Sequence, residues 1–314
     1  MPVKRKAAIF HLTNTTNTMQ ASARIARYLS WELKLPLYDG LAKNIPINLD
    51  AAILVNSPTG FADEDWRWFI AQQCVKARRF VFVQNDYKMG PPSQVQRWVE
   101  RLKKPVSRIM WTSVPDRMIG HDKRSTYVNW NALTWRPERK TLSWNKRQPG
   151  LLYYGALRPH REEAIKHYFA ANRDYKVIVS APTRSHERFH QILGDKITLL
   201  PPFRNLRVDL QQFQATVYLE DPWSHVHYCS PANRFYECLS AGMAIFFDIE
   251  TVYCMAQAQF RTTPWMVQNA KDVKARLQST QIIAHKQRTM WHNNQNYHAV
   301  LRQQVQDAWK NLWR

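Results

Sequence analysis

The stretch NRFYECLSAG, residues 233–242, places Arg234 and Glu237 three positions apart in a run with helical spacing. On a helix that spacing sets both side chains on one face, while Phe235 and Leu239 turn toward a core. A carboxylate there suits the two hydroxyls of a ribose, and a guanidinium forks onto phosphate oxygens that a helix N-terminus also attracts. The competing reading is an ordinary ion pair on an exposed helix face, which contributes little.

Two further clusters have chemical potential. YYGALRPHREE (153–163) combines Gly155, which allows close backbone approach, with Arg158 and Arg161 at the start of a helix. Cations there oppose the helix dipole, so two of them call for an anion, unless they simply pair with Glu162, Glu163 or water. Asp86 ends the β-rich run RFVFVQN and precedes the Gly/Pro loop YKMGPP. A carboxylate at the end of a strand is placed for general-base work, although the same residue also serves as a turn former or helix cap.

These clusters must be held by elements that the apolar pattern foretells. KAAIFHL (6–12) reads as a buried strand, and ASARIARYLSWEL as a helix with Ile25, Tyr28, Leu29 and Leu33 on one face. DAAILVNS (50–57) and RFVFVQND (79–86) read as strands separated by the amphipathic DEDWRWFIAQQCVKA. Strand and helix alternate, which predicts a parallel sheet covered on both faces, with ligands gathering beyond the carboxyl ends of its strands.

The polar, basic segment 136–150 reads as a linker, and from residue 150 a second strand-helix series begins. A chain of 314 residues is long enough for two cores. The expected domains are 1–147 and 148–285, both Rossmann-like, followed by helices over 286–314 that pack back toward the first domain.

Charge narrows the partner. The chain carries 45 Lys and Arg against 24 Asp and Glu, a formal net charge of +21, which points to a polyanion. Of these, 25 basic and 11 acidic residues precede position 148, so the first half holds most of the field. Cys74, Cys229, Cys238 and Cys254 form no CxxC pair, which suits a reducing compartment rather than a zinc site or disulfide frame. No apolar run suggests a signal peptide or membrane span, so a soluble protein is expected.

With these residues in hand, the sequence resembles the phage DNA β-glucosyltransferases, inverting enzymes of GT-B fold that glucosylate 5-hydroxymethylcytosine in DNA from UDP-glucose. Five segments carry the resemblance in order: DAAILVNSPTGF, FVFVQNDYKMGPP, LLYYGALRPHREE, ATVYLEDPWS and NRFYECLSAGMAIFFD. It implies two Rossmann-like domains facing a central cleft, the first for DNA and the second for the nucleotide sugar. It also implies Asp86 as general base, Arg158, Arg161 and Arg234 on the diphosphate, Glu237 on the ribose, and Gly155 in the phosphate loop. The phosphate loop is shorter here than in the family, which leaves open which of Arg158 and Arg161 meets which phosphate. The first loop, HLTNTTNTMQ, lacks the family's glycine, leaving Asn14 and Thr15 as candidates for contacts there. No metal site is evident, though Mg or Mn could assist through the phosphates.

On this resemblance the basic residues near Asp86 become a DNA face: Lys88, Arg97, Lys103, Lys104, Arg108, Lys123 and Arg124, contacting phosphates without reading sequence. A base inside a duplex must swing out of the stack to be modified. Met89, Trp98 and Trp111 are candidates to fill the gap, with core packing the competing role for each tryptophan. The expected partners are double-stranded DNA with modified bases and a UDP-sugar, met in the cytoplasm of an infected bacterium. Two other readings remain open: a GT-B transferase acting on a lipid or surface saccharide, and a non-enzymatic DNA-binding protein on a transferase scaffold.

Overall fold

The computed structural model describes residues 6–16, 21–40, 42, 44–55, 73–74, 76–84, 108–112, 125–135, 141–170, 173–220, 231–257 and 260–314. The chain forms two compact units, one of residues 1–134 with 297–314 and the other of residues 135–296.

In the first unit, strands β1 (Ala7–His11), β2 (Leu37–Tyr38), β3 (Ala51–Val55), β4 (Arg79–Gln84), β5 (Arg108–Thr112) and β6 (Ser125–Tyr127) form one parallel sheet. Its order is β2-β1-β3-β4-β5-β6. Every residue of β1 and β3 is buried, as expected of parallel strands covered on both faces, whose sequences run apolar instead of alternating. One face gathers Ala8, Phe10, Ala52, Leu54, Phe80 and Phe82.

Helix α1 (Ala21–Leu33) buries Ile25, Ala26, Tyr28 and Leu29, and the short α2 (Trp130–Thr134) buries Trp130 and Leu133. The side chain of Glu32, near the end of α1, is only 1 % exposed. Its carboxylate accepts Arg302 Nε at 3.1 Å and Nη2 at 3.2 Å, and Gln306 Nε2 at 2.8 Å. The C-terminal helix is thereby tied to the first unit.

The second unit is built on β7 (Gln148–Tyr154), β8 (Val177–Ser180), β9 (Thr198–Leu200), β10 (Phe213–Tyr218), β11 (Ala244–Asp248) and β12 (Met266–Val267). All pair in parallel in the order β12-β11-β10-β7-β8-β9. Its helices are α3 (Glu162–Phe169), α4 (His186–Leu193), α5 (Leu206–Asp209), α6 (Asn233–Ala241), α7 (Val252–Gln257), α8 (Ala270–Leu277) and α9 (Thr280–Asn293); α10 (Gln295–Asn311) follows. Phe235 of α6 anchors an aromatic core with Tyr218, Phe247, Phe260 and Trp291. On β11, Gln287 of α9 donates to Ile245 O at 2.6 Å and accepts Ile245 N–H at 2.9 Å, its amide standing in for a neighbouring strand.

The division between units falls at Thr134 and Trp135 rather than at 147, and residues 286–296 group with the second unit. Arg147 explains the first difference. It is 4 % exposed and donates to Gly242 O at 2.9 Å, Ala241 O at 3.1 Å and Leu142 O at 3.3 Å. Burial, with Arg288 nearby, lowers its pKa to about 10. Residues 141–150, read as part of a linker, are therefore pinned to this unit, and β7 begins at Gln148.

The Glu32 cluster makes a pH-dependent contribution. Burial alone would raise its pKa, but the hydrogen bonds from Arg302, Gln306 and Tyr28 outweigh it and lower it below the ordinary carboxylate range. The contribution is then complete above that range and disappears as pH falls through the lowered folded value. Glu32→Gln should lower stability by about 1–3 kcal/mol at neutral pH. Urea denaturation should show the gap between wild type and variant closing in acid.

Candidate functional site

In the second sheet, β7 lies between β8 and β10, so the connections leaving its two neighbours diverge. The carboxyl ends of β7 and β10 flank this switch point, where an open parallel sheet forms a crevice. Tyr154 and Gly155 leave β7 there, and Tyr218 to Glu220 leave β10.

Gly155 has φ +119°, and its N–H donates to Ser180 O at 3.0 Å. The conformation calls for glycine, and a Cβ at this position would stand 2.9 Å from Nη2 of Arg234 and push that guanidinium aside. The chain continues through a 3₁₀ turn at Pro159–Arg161 into α3, with Arg161 N–H donating to Arg158 O at 2.9 Å. Arg158 is exposed and Arg161 buried. Glu162, one of their considered partners, accepts Arg188 Nη2 from α4 at 2.8 Å.

Helix α6 brings the second set. Phe235 and Leu239 turn into the core as the spacing predicts, and Gly242 ends the helix in the left-handed conformation at φ +70°. The Arg234 guanidinium carbon lies 5.1 Å from the ring centre of Tyr153 and 5.2 Å from that of Tyr154, a cation–π platform at the end of β7. Glu237 is 7 % exposed, which removes the solvated ion-pair reading. Its Oε2 accepts the Tyr154 hydroxyl at 2.8 Å.

Burial, then Cys238 and Glu237, push the Tyr154 phenol well above its ordinary pKa, so it remains a neutral donor to the carboxylate. Burial raises the Cys238 thiol to about 12, which makes it a packing group rather than a nucleophile. Burial works against the charge on Arg234, but its polar neighbours, the Glu220 carboxylate among them, outweigh it, and the pKa is raised. Gly155, Arg234 and Glu237 thus meet at the carboxyl end of β7, around a tyrosine pair that the sequence reading did not single out.

Glu220, two residues past the end of β10, was missed as well. It is 9 % exposed. Its Oε1 accepts the Tyr218 hydroxyl and, at 3.0 Å, the N–H of Ala232, the N-cap of α6. In the sequence the residue looked like the polar end of a strand.

In the first unit, the loop after β1 uses its own polar groups. Thr15 N and Oγ1 donate to Asp39 Oδ2 at 3.0 and 2.8 Å, and Asn14 Oδ1 accepts Thr16 N–H at 2.8 Å. Asp86, Lys88, Arg97, Lys103, Lys104, Lys123 and Arg124 lie outside the described residues, as do Met89 and Trp98; Arg108 opens β5, its side chain also outside them. Trp111 is a correction: it is completely buried within β5, so it packs the core and does not fill a gap in DNA. Among the described residues no three His, Cys, Asp or Glu side chains come together, so by themselves they form no cage for Mg or Mn. Among them, too, no helix is long and apolar enough to cross a membrane.

No family model matches the sequence, and no curated protein matches it. Solved structures do. The chain is similar to the β-glucosyltransferase of phage T4 in complex with UDP and Mn2+, with a TM-score of 0.69 over 96 % of this chain and 99 % of that one, at 12 % identity. The chain has the GT-B fold. A glycosyltransferase-fold likeness extends further, to the Anabaena protein HepE in complex with UDP-glucose, with a TM-score of 0.56, 10 % identity, and coverage of 98 % of this chain and 100 % of that one. It includes a glycosyltransferase from Rickettsia africae, with a TM-score of 0.55, 8 % identity and coverage of 99 % of each chain. In this GT-B chain, Gly155→Ala should cost about 1–3 kcal/mol, because alanine is forced into a glycine-only conformation and against Arg234. Chemical denaturation that finds the variant as stable as the wild type would contradict this.

Proposed function

We propose that the protein transfers a sugar from a UDP-sugar, with glucose the first candidate, to the hydroxymethyl group of a modified pyrimidine in DNA. The observation that carries the reading is the meeting of Gly155, Arg234 and the buried Glu237 at the carboxyl end of β7, on a fold shared with a β-glucosyltransferase solved with UDP. The net charge of +21 supports the polyanionic acceptor. In a bacterium infected by a phage with modified DNA, donor and acceptor would share the cytoplasm.

In this reading Arg234, held over Tyr153 and Tyr154, pairs with the diphosphate, and Arg158 and Arg161 approach it from the turn after β7. Glu237 accepts ribose hydroxyls, its Oε2 oriented by the Tyr154 phenol. Asp86 takes the proton of the acceptor hydroxyl as that oxygen forms its bond to the anomeric carbon. The bond from that carbon to the diphosphate oxygen breaks, UDP leaves with the electron pair, and the anomeric configuration inverts. The arginines lower the barrier by stabilising charge that accumulates on the leaving group. Lys88, Arg97, Lys103, Lys104, Arg108, Lys123 and Arg124 hold the DNA by its phosphates.

The reaction can be read directly. The protein is incubated with DNA bearing hydroxymethylcytosine or hydroxymethyluracil and a panel of UDP-sugars, the DNA is digested, and the nucleosides are weighed. A hexose added to one modified nucleoside is expected; unmodified DNA under every donor would refute the acceptor. Asp86→Ala should slow transfer by about 10²–10⁴-fold with UDP affinity nearly unchanged. Glu237→Ala should weaken UDP binding about tenfold or more by calorimetry. DNA affinity should fall steeply with added salt, and an affinity independent of salt would argue for another acceptor.

A further inference from the structure

The carboxylate of Glu220 is only half explained by the fold. Its Oε1 receives Tyr218 and the N–H of Ala232, which secures the start of α6. Its Oε2 is buried and, among the described residues, has no hydrogen-bond partner. The residue stands at the carboxyl end of β10, at the switch point that also holds Tyr154 and Gly155. Its bond to Ala232 holds it at the first turn of α6, two residues from Arg234. A buried carboxylate oxygen that accepts nothing leaves its lone pairs unmet at a cost, so the site is complete when a donor arrives.

We propose that Glu220 is a second carboxylate of the nucleotide-sugar site, with Oε2 accepting a hydrogen bond from a hydroxyl of the bound donor. This rests on the nucleotide-sugar reading above. Phosphate oxygens are excluded as partners because they are acceptors and anions. The groups bonded directly to either side of a diphosphate in a UDP-sugar are its two sugar rings, the ribose and the transferred sugar, with the base one ring further away. A carboxylate beside the arginine assigned to the diphosphate therefore meets a sugar hydroxyl first. Glu237 and Glu220 would then sort donors by where their hydroxyls fall.

The test is a thermodynamic cycle on the full chain. Binding of UDP-glucose, of UDP-sugars deoxygenated at single positions of the hexose, and of the 2′- and 3′-deoxyribose analogues is measured by calorimetry for wild type and Glu220→Gln. Glutamine keeps a carbonyl for the Ala232 N–H, and a melting curve checks the fold. One deoxy donor should bind the wild type about tenfold or more weakly, and that penalty should vanish in the variant. Which analogue behaves so tells hexose from ribose. If all penalties persist in the variant, Glu220 acts through Arg234 or α6 alone and the proposal is overturned; a wild type indifferent to every deoxygenation overturns it as well. Should Glu220→Gln melt far below the wild type, Glu220→Asp, which keeps the charge but withdraws the oxygen, is put through the same series. A wild type that binds no UDP-sugar strikes the nucleotide-sugar reading itself, whereas normal binding with an unchanged cycle strikes only Glu220.

Discussion

The parallel pairing of β7 with β10 governs the candidate site. Leu151 lies opposite Ala215 and Leu152 opposite Thr216, so both strands end at one edge of the sheet. Tyr154 and Gly155 can then face α6, the helix that follows β10. Without that register the Tyr154 hydroxyl could not reach Glu237, Arg234 would lose its aromatic bed, and Glu220 would have no N-cap to hold. Arg147 secures the same region from below by bonding the last carbonyls of α6.

Burial divides the labour among the polar groups. Tyr154 and Cys238 are held in their neutral forms by desolvation, whereas Arg234 keeps its charge through its neighbours. Among the described residues, Arg234, Glu237 and Glu220 thus stand beside a neutral tyrosine and thiol.

Much of this was legible in the sequence, because strands buried on both faces write themselves as unbroken apolar runs. The runs AAIFH, AAILV and RFVFVQ, and the Arg234 and Glu237 spacing, follow from local pattern. β5 was not legible, since RIMWT is short and flanked by charge, and β2 has two residues only. Residues 141–147 looked like a linker because composition does not reveal that Arg147 supplies hydrogen bonds to a helix end. Tyr154 and Glu220 escaped notice for a related reason. Tyr154 meets Glu237 83 residues on, and Glu220 meets Ala232 across a loop, so neither pairing lies within one strand or helix.

The first unit draws its closing helix from the far end of the chain: Glu32 waits for Arg302, 270 positions later. A ribosome therefore releases the whole second unit before the first can be completed. Until then the Glu32 carboxylate lacks its guanidinium and amide partners and keeps the Tyr28 hydroxyl of its own helix. Trimming the last helix would thus injure the beginning of the protein, not its end.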